Sequence, residues 1–384
     1  MFDNFLQLVQ GIYGKDKYIP LHAPKFSGNE KKYLLNAIDS TFVSSVGEFV
    51  NEFEQKVADY TGIKYAIATV NGTAAIHIAL QISGVEKDTE VITQSLTFVA
   101  TCNAIRYCGA KPVFVDVDRK TLGMSPDSLR FFLEENCEVR DDGHCWNKLS
   151  KKRVVACLPM HTNGFPVQLD EINQLCKSYN IVLVEDAAES LGSFYKGKHT
   201  GSIGSVSAIS FNGNKIITTG GGGMILTNNE KLAIKAKHLT TTAKVPHQWE
   251  FEHNEIGYNY RLPNLNAALG LAQMEVLHEY LDVKRAVANK YQEWGNVNGF
   301  QFVKEPKNTR SNYWLNLVIT QNKQQRNAML EFMNGNNVMT RPIWIPMHKL
   351  AINNDCQKNS MENTEWFSER LVNVPSSVVL NDIK

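Results

Sequence analysis

The sequence predicts an α/β fold: a mostly parallel sheet sandwiched by helices, followed by a smaller C-terminal α+β domain. Short apolar segments rich in β-branched residues alternate with helix-like segments until about residue 230. Strands that are apolar on both faces and alternate with helices form parallel sheets covered on both sides. Beyond that point the alternation fades into long helical stretches and a mixed tail. We therefore expect a large domain at residues 1–250 and a small domain at 251–384.

The expected elements follow in a regular order along the chain. Phe49, Phe53, Val57 and Tyr60 recur every three or four residues, which predicts a helix that ends at Gly62. Five expected strands follow at 64–70, 89–95, 111–117, 153–159 and 180–186. Helical segments such as "TAAIHIALQIS" separate most of these strands. "SVSAISF" and "GMILTN" add two more strands, and "YWLNLVIT" is the strand expected in the tail.

Composition and charge argue against several classes of protein. Hydrophobic residues make up 43% of the chain and charged residues 21%, which are ordinary globular values. Forty basic residues against 39 acidic ones leave a formal charge of +1, so charge gives no case for nucleic acid or an anionic membrane as a partner. Seven scattered cysteines, no convincing signal peptide and no long apolar run predict a soluble cytoplasmic protein.

The segment "FLEENCEVRDDGHCWNKLSKKR" (132–153) is a polar excursion between two expected strands. Its Cys137, His144 and Cys145 are metal-binding residue types, but their spacing matches no zinc pattern. We expect a surface insertion here and no metal site.

Residues that follow the expected strands are the candidates for chemistry, because ligands of parallel sheets bind at the carboxyl ends of the strands. Asn71, Gly72 and Thr73 lead from the first strand directly into a helix. A helix N-terminus offers free N–H groups to a phosphate, and glycine permits close approach of the backbone. An ordinary strand–helix turn would look the same.

An acidic pair ends another apolar strand. Glu185 and Asp186 close "NIVLVED", and Glu189 follows three residues later. A carboxylate at the mouth of a buried strand is costly unless something pairs with it. The partner could be a protonated heterocycle, a metal, an arginine or a helix end, and these alternatives stay open on this motif alone.

The stretch "SFNGNKIITTGGGGMI" (210–225) carries one lysine, Lys215, followed by four glycines. It lacks the Gly-Lys-Ser/Thr of a Walker loop and the setting of a dinucleotide-binding GxGxxG. A lysine near a strand-end acid and a phosphate seat is able to form a Schiff base with a carbonyl. A solvated lysine on a loop is the alternative.

Together the three motifs predict a site for pyridoxal 5′-phosphate. This cofactor needs an amine for its aldehyde, an acid for its ring nitrogen and a polar cup for its phosphate. The chain supplies the cup, the acid and the lysine in that order, with Asp186 and Lys215 29 positions apart. The combination is far more specific than any one of its members.

With these residues in view, nearly the whole chain resembles the DegT/DnrJ/EryC1/StrS family of pyridoxal-phosphate-dependent nucleotide-sugar aminotransferases. The resemblance is carried by "NGTAAIHIAL", "SLTFVATCNAI", "GAKPVFVDVD", "VEDAAESLGS", "SFNGNKIITTGGGGMILTN", "GYNYRLPNLNAALG", "SNYWLN" and "TRPIWIPMH". It implies the fold-type I architecture of aspartate aminotransferase and transfer of an amino group from L-glutamate to a keto sugar. The pyridoxamine form of the cofactor would be the intermediate between 2-oxoglutarate release and amination of the sugar.

The resemblance also implies roles for single residues around the cofactor ring. Lys215 would bind the cofactor covalently and later move a proton, and Asp186 would pair with the pyridine nitrogen. Glu189 would face the ring hydroxyl, and Phe98 would stack on the ring face.

Phosphate binding is implied for residues from two parts of the chain. Gly72, Thr73 and Ser210 would hold the phosphate of the same subunit. Asn259 in "GYNYR" would reach the phosphate of the neighbouring subunit's cofactor. A site shared in this way implies at least a homodimer.

Some positions depart from the wider family pattern. Gly221 stands where a glutamate is usual, and Gln94 stands where a proline is common. The four glycines, "HLTTTAKVPH" and the 132–153 segment resemble the branch of 4-aminotransferases from legionaminic acid and bacillosamine pathways. That branch implies a nucleotide-linked 4-keto-6-deoxy-N-acetylhexose as acceptor, in the synthesis of amino sugars for bacterial surface glycans such as lipopolysaccharide. Whether the nucleotide is UDP or GDP stays open.

Alternatives within and outside the family also stay open. A 3-keto nucleotide sugar could be the acceptor, or the protein could be a pyridoxamine-dependent sugar dehydratase. The dehydratases resemble these enzymes but carry histidine in place of Lys215, which argues against that alternative. A non-catalytic sensor is disfavoured because the lysine, acid and cup are intact. His161, Arg341, Trp344 and His348 are candidates for the sugar or donor site, with packing between domains as the alternative.

Overall fold

The computed structural model describes residues 2–15 and 17–380, so positions 1, 16 and 381–384 of the predicted domains lie outside it. The helices are α1 (Phe2–Tyr13), α2 (Glu30–Asp39), α3 (Glu48–Thr61), α4 (Gly72–Ile82), α5 (Val99–Tyr107), α6 (Pro126–Asn136), α7 (Leu169–Ser178), α8 (Glu230–Thr240), α9 (Asn264–Asn298), α10 (Lys323–Gly335) and α11 (Glu362–Ser368). Short 3₁₀ turns occur at Thr162–Gly164, Met347–Lys349 and Ala351–Asn353.

The strands are mostly short. They are β1 (Tyr65–Thr69), β2 (Glu90–Gln94), β3 (Lys111–Val115), β4 (Cys137–Val139), β5 (Cys145–Asn147), β6 (Val154–Leu158), β7 (Val182–Asp186), β8 (Phe194–Tyr195), β9 (Lys198–His199), β10 (Val206–Ser210), β11 (Gly223–Thr227), β12 (Gln301–Phe302), β13 (Thr309–Arg310), β14 (Asn316–Ile319), β15 (Arg341–Pro342) and β16 (Leu371–Val374).

A seven-stranded sheet forms the centre of the large domain, in the order β1-β11-β10-β7-β6-β2-β3. Strand β11 runs antiparallel to both of its neighbours, and the other pairings are parallel. The predicted mostly parallel sheet is therefore confirmed. The carboxyl ends of parallel strands lie at one edge of the sheet, and the candidate site residues lie at that edge.

The strands carry apolar side chains on both faces of the sheet, and helices therefore pack on both faces. On one face Val91, Val184 and Ala208 pack in a core that α4, α5 and α8 also enter. On the other face Ile209 packs with residues of α3 and α9, while Ile92 packs with residues of α6 and α7. Neighbouring strand residues thus point into different cores, as the pleat of a strand requires.

The C-terminal part is built on the 35-residue helix α9 and a four-stranded antiparallel sheet in the order β12-β14-β16-β15. Helix α9 ends at Gly299, whose positive φ of 73° is a left-handed cap that glycine adopts without strain. Phe5 and Val9 of α1 are fully buried in the same core as Val372 and Val374 of this sheet. Helix α1 therefore packs on the C-terminal part of the fold, on the other side of the predicted domain boundary at residue 250. The domain division itself stays a prediction.

The polar segment 132–153 is a shorter excursion than predicted, because residues 132–136 complete α6. Strands β4 and β5 then form an antiparallel hairpin. Cys137 and Cys145 are buried beneath it in the core shared by α6 and α7. Within residues 2–15 and 17–380, no three His, Cys, Asp or Glu side chains form a group that could hold a metal ion. No helix in these ranges is long and apolar enough to cross a membrane.

Candidate active site

The segments that follow β1, β2, β7 and β10 meet at the carboxyl edge of the large sheet and enclose a cavity of about 310 Å³. Eight of the predicted site residues line it: Gly72, Thr73, Phe98, Asp186, Glu189, Ser210, Lys215 and Trp344. A larger cleft of about 1110 Å³ lies away from these strand ends, between the loop after β3 and the end of α9. Its lining includes Lys120 and Lys304 but none of the predicted site residues.

The predicted phosphate cup lies at the N-terminus of α4. Asn71 caps the helix, since its side chain accepts a hydrogen bond from the Ala74 amide at 2.8 Å. The following amides, of Gly72 and Thr73, belong to the first helical turn, whose N–H groups have no partner inside a helix. A Cβ on Gly72 would lie 2.8 Å from the Ser210 Cβ, so only glycine lets α4 start this close to the end of β10.

Asp186 ends β7 and is buried, with 1% of its surface exposed. The Thr101 hydroxyl donates to its Oδ2 at 2.7 Å, and the Ala188 amide donates to its Oδ1 at 3.2 Å. Burial raises the pKa of this carboxyl, although the hydrogen bond from Thr101 works in the opposite direction. A cationic group placed against Asp186 would favour its ionised form.

Glu189 is buried between two donors. Lys215 Nζ lies 3.2 Å from its Oε1, and the Asn163 amide donates to its Oε2 at 2.8 Å. Asn163 has a positive φ of 53° in the turn after β6, and this backbone conformation aims the amide at the carboxylate. Burial raises the pKa of Glu189 to about 7, against the opposing effect of the Lys215 charge.

Lys215 extends from the turn after β10 into the cavity, with 14% of its side chain exposed. Its Nζ lies 4.0 Å from the centroid of the Trp314 ring. The indole N–H of Trp314 donates to the Asn214 carbonyl at 2.6 Å, which fixes the ring beneath the amine. The lysine is therefore held between an aromatic face and a carboxylate instead of being solvated.

These groups fit pyridoxal 5′-phosphate. The amine of Lys215 and the buried acid Asp186 line the same cavity as the amide cup at Gly72 and Thr73. Asp186, whose pKa burial raises, has no cationic side chain within hydrogen-bonding distance in the described chain, and a protonated ring nitrogen would supply one.

Three of the four glycines that follow Lys215 differ in whether the fold requires a glycine there. Gly220 has a positive φ of 81°, which turns the chain back into β11. A Cβ on Gly223 would collide with the backbone carbonyl of Asn71, so this glycine lets β11 pass against the start of α4. At Gly221, where the family pattern has glutamate, the nearest atom to a Cβ would be the Val70 carbonyl oxygen at 3.8 Å. The glycine at 221 is therefore not required by space or by backbone conformation.

Three predicted residues, His161, Arg341 and His348, do not line this cavity, and their candidate substrate role stays a prediction. His161 is fully buried behind Asp186, with Nε2 3.0 Å from Glu185 Oε2 and Nδ1 accepting from the Val167 amide. His348 is buried against Ser95, whose Oγ lies 2.7 Å from its Nδ1.

Arg341 is exposed on β15, where its guanidinium contacts the Thr340 carbonyl and Asn334. Sequence proximity to Trp344 suggested a shared site, but only Trp344 reaches the cavity. Asn259 is also exposed and outside the cavity of its own chain, on the segment that pairs with Thr241. Its predicted role concerns a neighbouring subunit and stays a prediction.

Sequence reasoning missed several residues that shape the site. Thr101 lies in the first turn of α5, in the segment after β2, where the rule that ligands bind at strand ends points to it. Trp314 belongs to the family block "SNYWLN", but its contact with Lys215 is not evident from the sequence. Gln94 is fully buried and satisfied on both ends: its amide donates to Leu96 and Thr162, and its Oε1 accepts from the Met124 and Met160 amides. The glutamine thus joins the ends of β2 and β6, which explains why a polar residue occupies this buried position.

Fold and site together define an aminotransferase that uses pyridoxal phosphate. The chain belongs to the DegT/DnrJ/EryC1/StrS aminotransferase family, whose model matches residues 24–383. The protein is accordingly a pyridoxal-phosphate-dependent aminotransferase.

Known proteins similar to this chain match it over most of its length. EpsN of Bacillus subtilis is 39% identical over 356 residues, covering 92% of this chain and 89% of that protein. The GDP-perosamine synthase of Escherichia coli O157:H7 is 36% identical over 364 residues, covering 94% and 93%. The crystal structure of the aminotransferase TlmJ from Streptoalloteichus hindustanus superimposes with a TM-score of 0.85 at 26% identity, covering 95% of each chain. The predicted fold-type I architecture is thereby confirmed.

Proposed function

We propose that the protein transfers the amino group of L-glutamate to the 4-keto carbon of a nucleotide-linked 4-keto-6-deoxyhexose. The observation that carries the proposal is the meeting of Lys215, Asp186 and Glu189 around one cavity whose rim is the amide cup of α4. The 36% identical relative is named for the synthesis of GDP-perosamine, a 4-amino sugar, which favours position 4 of the ring.

Each residue would have a distinct task in the transfer. Pyridoxal phosphate, when bound, supplies an electron sink and a carrier for the amino group. Lys215 would hold it through its amine and afterwards carry a proton to and from the reacting carbon. Asp186, buried and oriented by Thr101, would keep the pyridine nitrogen protonated. The first amides of α4 would bind the phosphate at the positive end of the helix dipole.

The mouth of the cavity would receive the two substrates in turn. Phe98 and Trp344 line it with ring centroids 6.1 Å apart, and 48% of Phe98 is exposed. Phe98 would cover the cofactor ring, and Trp344 would contact the sugar or the donor. Asn259 from a second copy would complete the phosphate site in a homodimer.

The proposal extends to the nucleotide that carries the acceptor sugar and to the pathway that uses the product. The relative named GDP-perosamine synthase supports a GDP-linked acceptor. The sequence resemblance to the legionaminic acid and bacillosamine branch supports a UDP- or GDP-linked N-acetylated one. Either product would serve the synthesis of a bacterial surface glycan.

The test is amino transfer to a defined panel of acceptors. The purified protein is incubated with L-glutamate and GDP- or UDP-linked 4-keto-6-deoxyhexoses, with and without N-acetylation, and with 3-keto isomers. Release of 2-oxoglutarate and the mass of the sugar product are followed, with Lys215→Ala as the inactive control. We expect amination of a 4-keto sugar. Amination of 3-keto isomers alone would move the reaction to position 3, loss of a hydroxyl would indicate a dehydratase, and no transfer to any acceptor would refute the proposal.

A further inference from the structure

A buried carboxyl group, that of Glu189, lies beside the amine of Lys215. Among the described residues that line the cavity, only Asp186, Glu189 and Lys215 have acidic or basic side chains. The amine of Lys215 attacks a carbonyl only in its neutral form, so its ammonium proton must first move to another atom. The cavity offers two carboxyl groups as acceptors.

Geometry distinguishes the two carboxyl groups. Glu189 Oε1 lies 3.2 Å from Lys215 Nζ, within reach of direct proton transfer. The oxygens of Asp186 are occupied by the Thr101 hydroxyl and the Ala188 amide. Asp186 is also the acid that the ring nitrogen of the cofactor requires in its ionised form.

We propose that Glu189 is a catalytic residue that exchanges a proton directly with Lys215. In the forward step the N–H bond of the Lys215 ammonium breaks and an O–H bond forms on Glu189 Oε1. The pair stays neutral overall, and no electron is lost or gained. The reverse step returns the proton when the amine has to leave the carbonyl carbon.

The surroundings of Glu189 suit it to hold a proton part of the time. It is 3% exposed, and its second oxygen is fixed by the Asn163 amide, which carries no charge. The titratable groups that act on it are Lys215 from the turn after β10 and Asp186 from the end of β7. Trp314, which covers the other side of the amine, adds an aromatic face but no titratable group. Burial raises the pKa of Glu189 to about 7, close to the pH at which a general acid–base group works best.

The inference rests on the proposed attachment of the cofactor at Lys215 and not on the identity of the sugar. It is therefore tested on cofactor attachment instead of turnover. Full-length protein freed of cofactor is mixed with pyridoxal 5′-phosphate at pH 5.5 to 10. The attachment rate is taken from samples trapped with borohydride, and mass spectrometry locates the modified lysine.

The informative variant is Glu189→Gln, which keeps the size and one hydrogen-bond acceptor but takes no proton. The matched control is Glu90→Gln. Glu90 is another buried carboxylate, at the opposite end of β2, which accepts a hydrogen bond from Asn147 at 2.8 Å. Binding of pyridoxamine 5′-phosphate, which forms no bond to the lysine, reports whether the shape of the cavity is intact.

In the wild type and in Glu90→Gln we expect the attachment rate to rise with pH through about 7 and then level off, because Glu189 becomes an acceptor above its pKa. In Glu189→Gln the rise should move upward by at least about one pH unit, because the ammonium proton of Lys215 then has to pass to the solvent instead of to Glu189. At pH 7 the rate should fall at least about tenfold, and by more than the affinity for pyridoxamine 5′-phosphate falls.

Three outcomes would overturn the proposal. An unchanged pH profile in Glu189→Gln would exclude proton exchange. Equal losses of attachment and of pyridoxamine 5′-phosphate binding, without a shift of the profile, would make Glu189 a positioning residue. A wild-type rate that does not rise between pH 5.5 and 8 would refute the role without any variant. If mass spectrometry finds the reduced cofactor on another lysine, the proposed attachment at Lys215 itself is refuted.

Discussion

The Thr101 hydroxyl donates a hydrogen bond to Asp186 Oδ2 at 2.7 Å, and both side chains are essentially inaccessible to solvent. This contact joins the first turn of α5 to the end of β7. It stabilises the ionised form of a carboxyl group whose pKa burial raises. The acid that we propose for the ring nitrogen of the cofactor is thus hydrogen-bonded by a residue on a neighbouring element.

Replacing Thr101 by valine should weaken cofactor binding. Valine keeps the shape but removes the donor, which leaves a buried carboxylate short of a partner at a cost of about 1–3 kcal/mol. We expect the affinity for pyridoxal 5′-phosphate to fall about tenfold, as 1.4 kcal/mol corresponds to a factor of ten. Thr93→Val is the control, because the Thr93 hydroxyl bonds the Leu158 carbonyl at 2.8 Å and does not line the cavity. Equal affinities of the two variants, measured by equilibrium dialysis, would contradict the role of Thr101.

Alanine substitutions should separate the glycines that the fold requires from the one that it does not. Gly223→Ala forces a Cβ against the Asn71 backbone, and overpacking of this kind typically costs about 1–3 kcal/mol. Gly221→Ala has room and should change the free energy of unfolding by less than about 0.5 kcal/mol. Urea denaturation measures both. A Gly221→Ala variant as unstable as Gly223→Ala would show that the turn after Lys215 has another constraint.

Acid should destabilise the protein through His199. Burial lowers the pKa of this histidine to about 4, against about 6.5 in an unfolded chain. Below about pH 6.5 this histidine is therefore protonated in the unfolded chain but not in the folded one. The free energy of unfolding thus falls as the pH decreases toward 4. Between pH 7 and pH 5 this one group should remove about 2 kcal/mol from the free energy of unfolding.

His199→Gln tests this contribution, because glutamine can still accept the hydrogen bond that the Gly192 amide donates to His199 Nε2 at 2.9 Å. Urea unfolding at pH 7 and pH 5 should show a smaller loss in this variant than in the wild type. His144→Gln, at an exposed position of the β4–β5 hairpin, should behave as the wild type does. An identical pH dependence in all three proteins would disprove the assignment to His199.

Much of the fold could be predicted because its signals are local. The strands at 65–69, 90–94 and 182–186 lie inside the predicted segments, since apolar β-branched runs between turn residues mark buried strands. The reversed direction of β11 and the packing of α1 on the C-terminal sheet could not be predicted in this way. Both depend on contacts between residues far apart in sequence, such as Phe5 with Tyr291.

In the candidate site, too, residues with local sequence signals could be predicted and those that depend on distant contacts could not. Asp186 ends a strand, and Lys215 and the glycine cup come shortly after strands, so the rule for strand ends finds them. The amide of Asn163 reaches Glu189 through a backbone conformation that no spacing encodes. His161 and His348 lie close in sequence to family motifs, but their side chains are hydrogen-bonded outside the cavity, and their role in substrate binding stays a prediction.

Subunit mixing should reveal whether the site is shared. If Lys215 and Asn259 of different subunits serve one site, Lys215→Ala and Asn259→Ala homodimers should each be nearly inactive. A hybrid of the two has one site with both defects and one intact site. After random exchange of subunits, half of the dimers are hybrids, so about a quarter of the wild-type activity should return. Mixtures that stay inactive after exchange, verified by mass spectrometry, would contradict the shared site.

The central claim is that Lys215 carries the cofactor, and one measurement tests it most directly. The purified holoenzyme is reduced with borohydride, digested and analysed by mass spectrometry, with Lys215→Ala and the exposed-site variant Lys196→Ala treated alongside. We predict that the reduced cofactor is found on the peptide that contains Lys215 in the wild type and in Lys196→Ala, and is absent from Lys215→Ala. Cofactor bound covalently to another lysine, or retained in Lys215→Ala after reduction, would contradict the account.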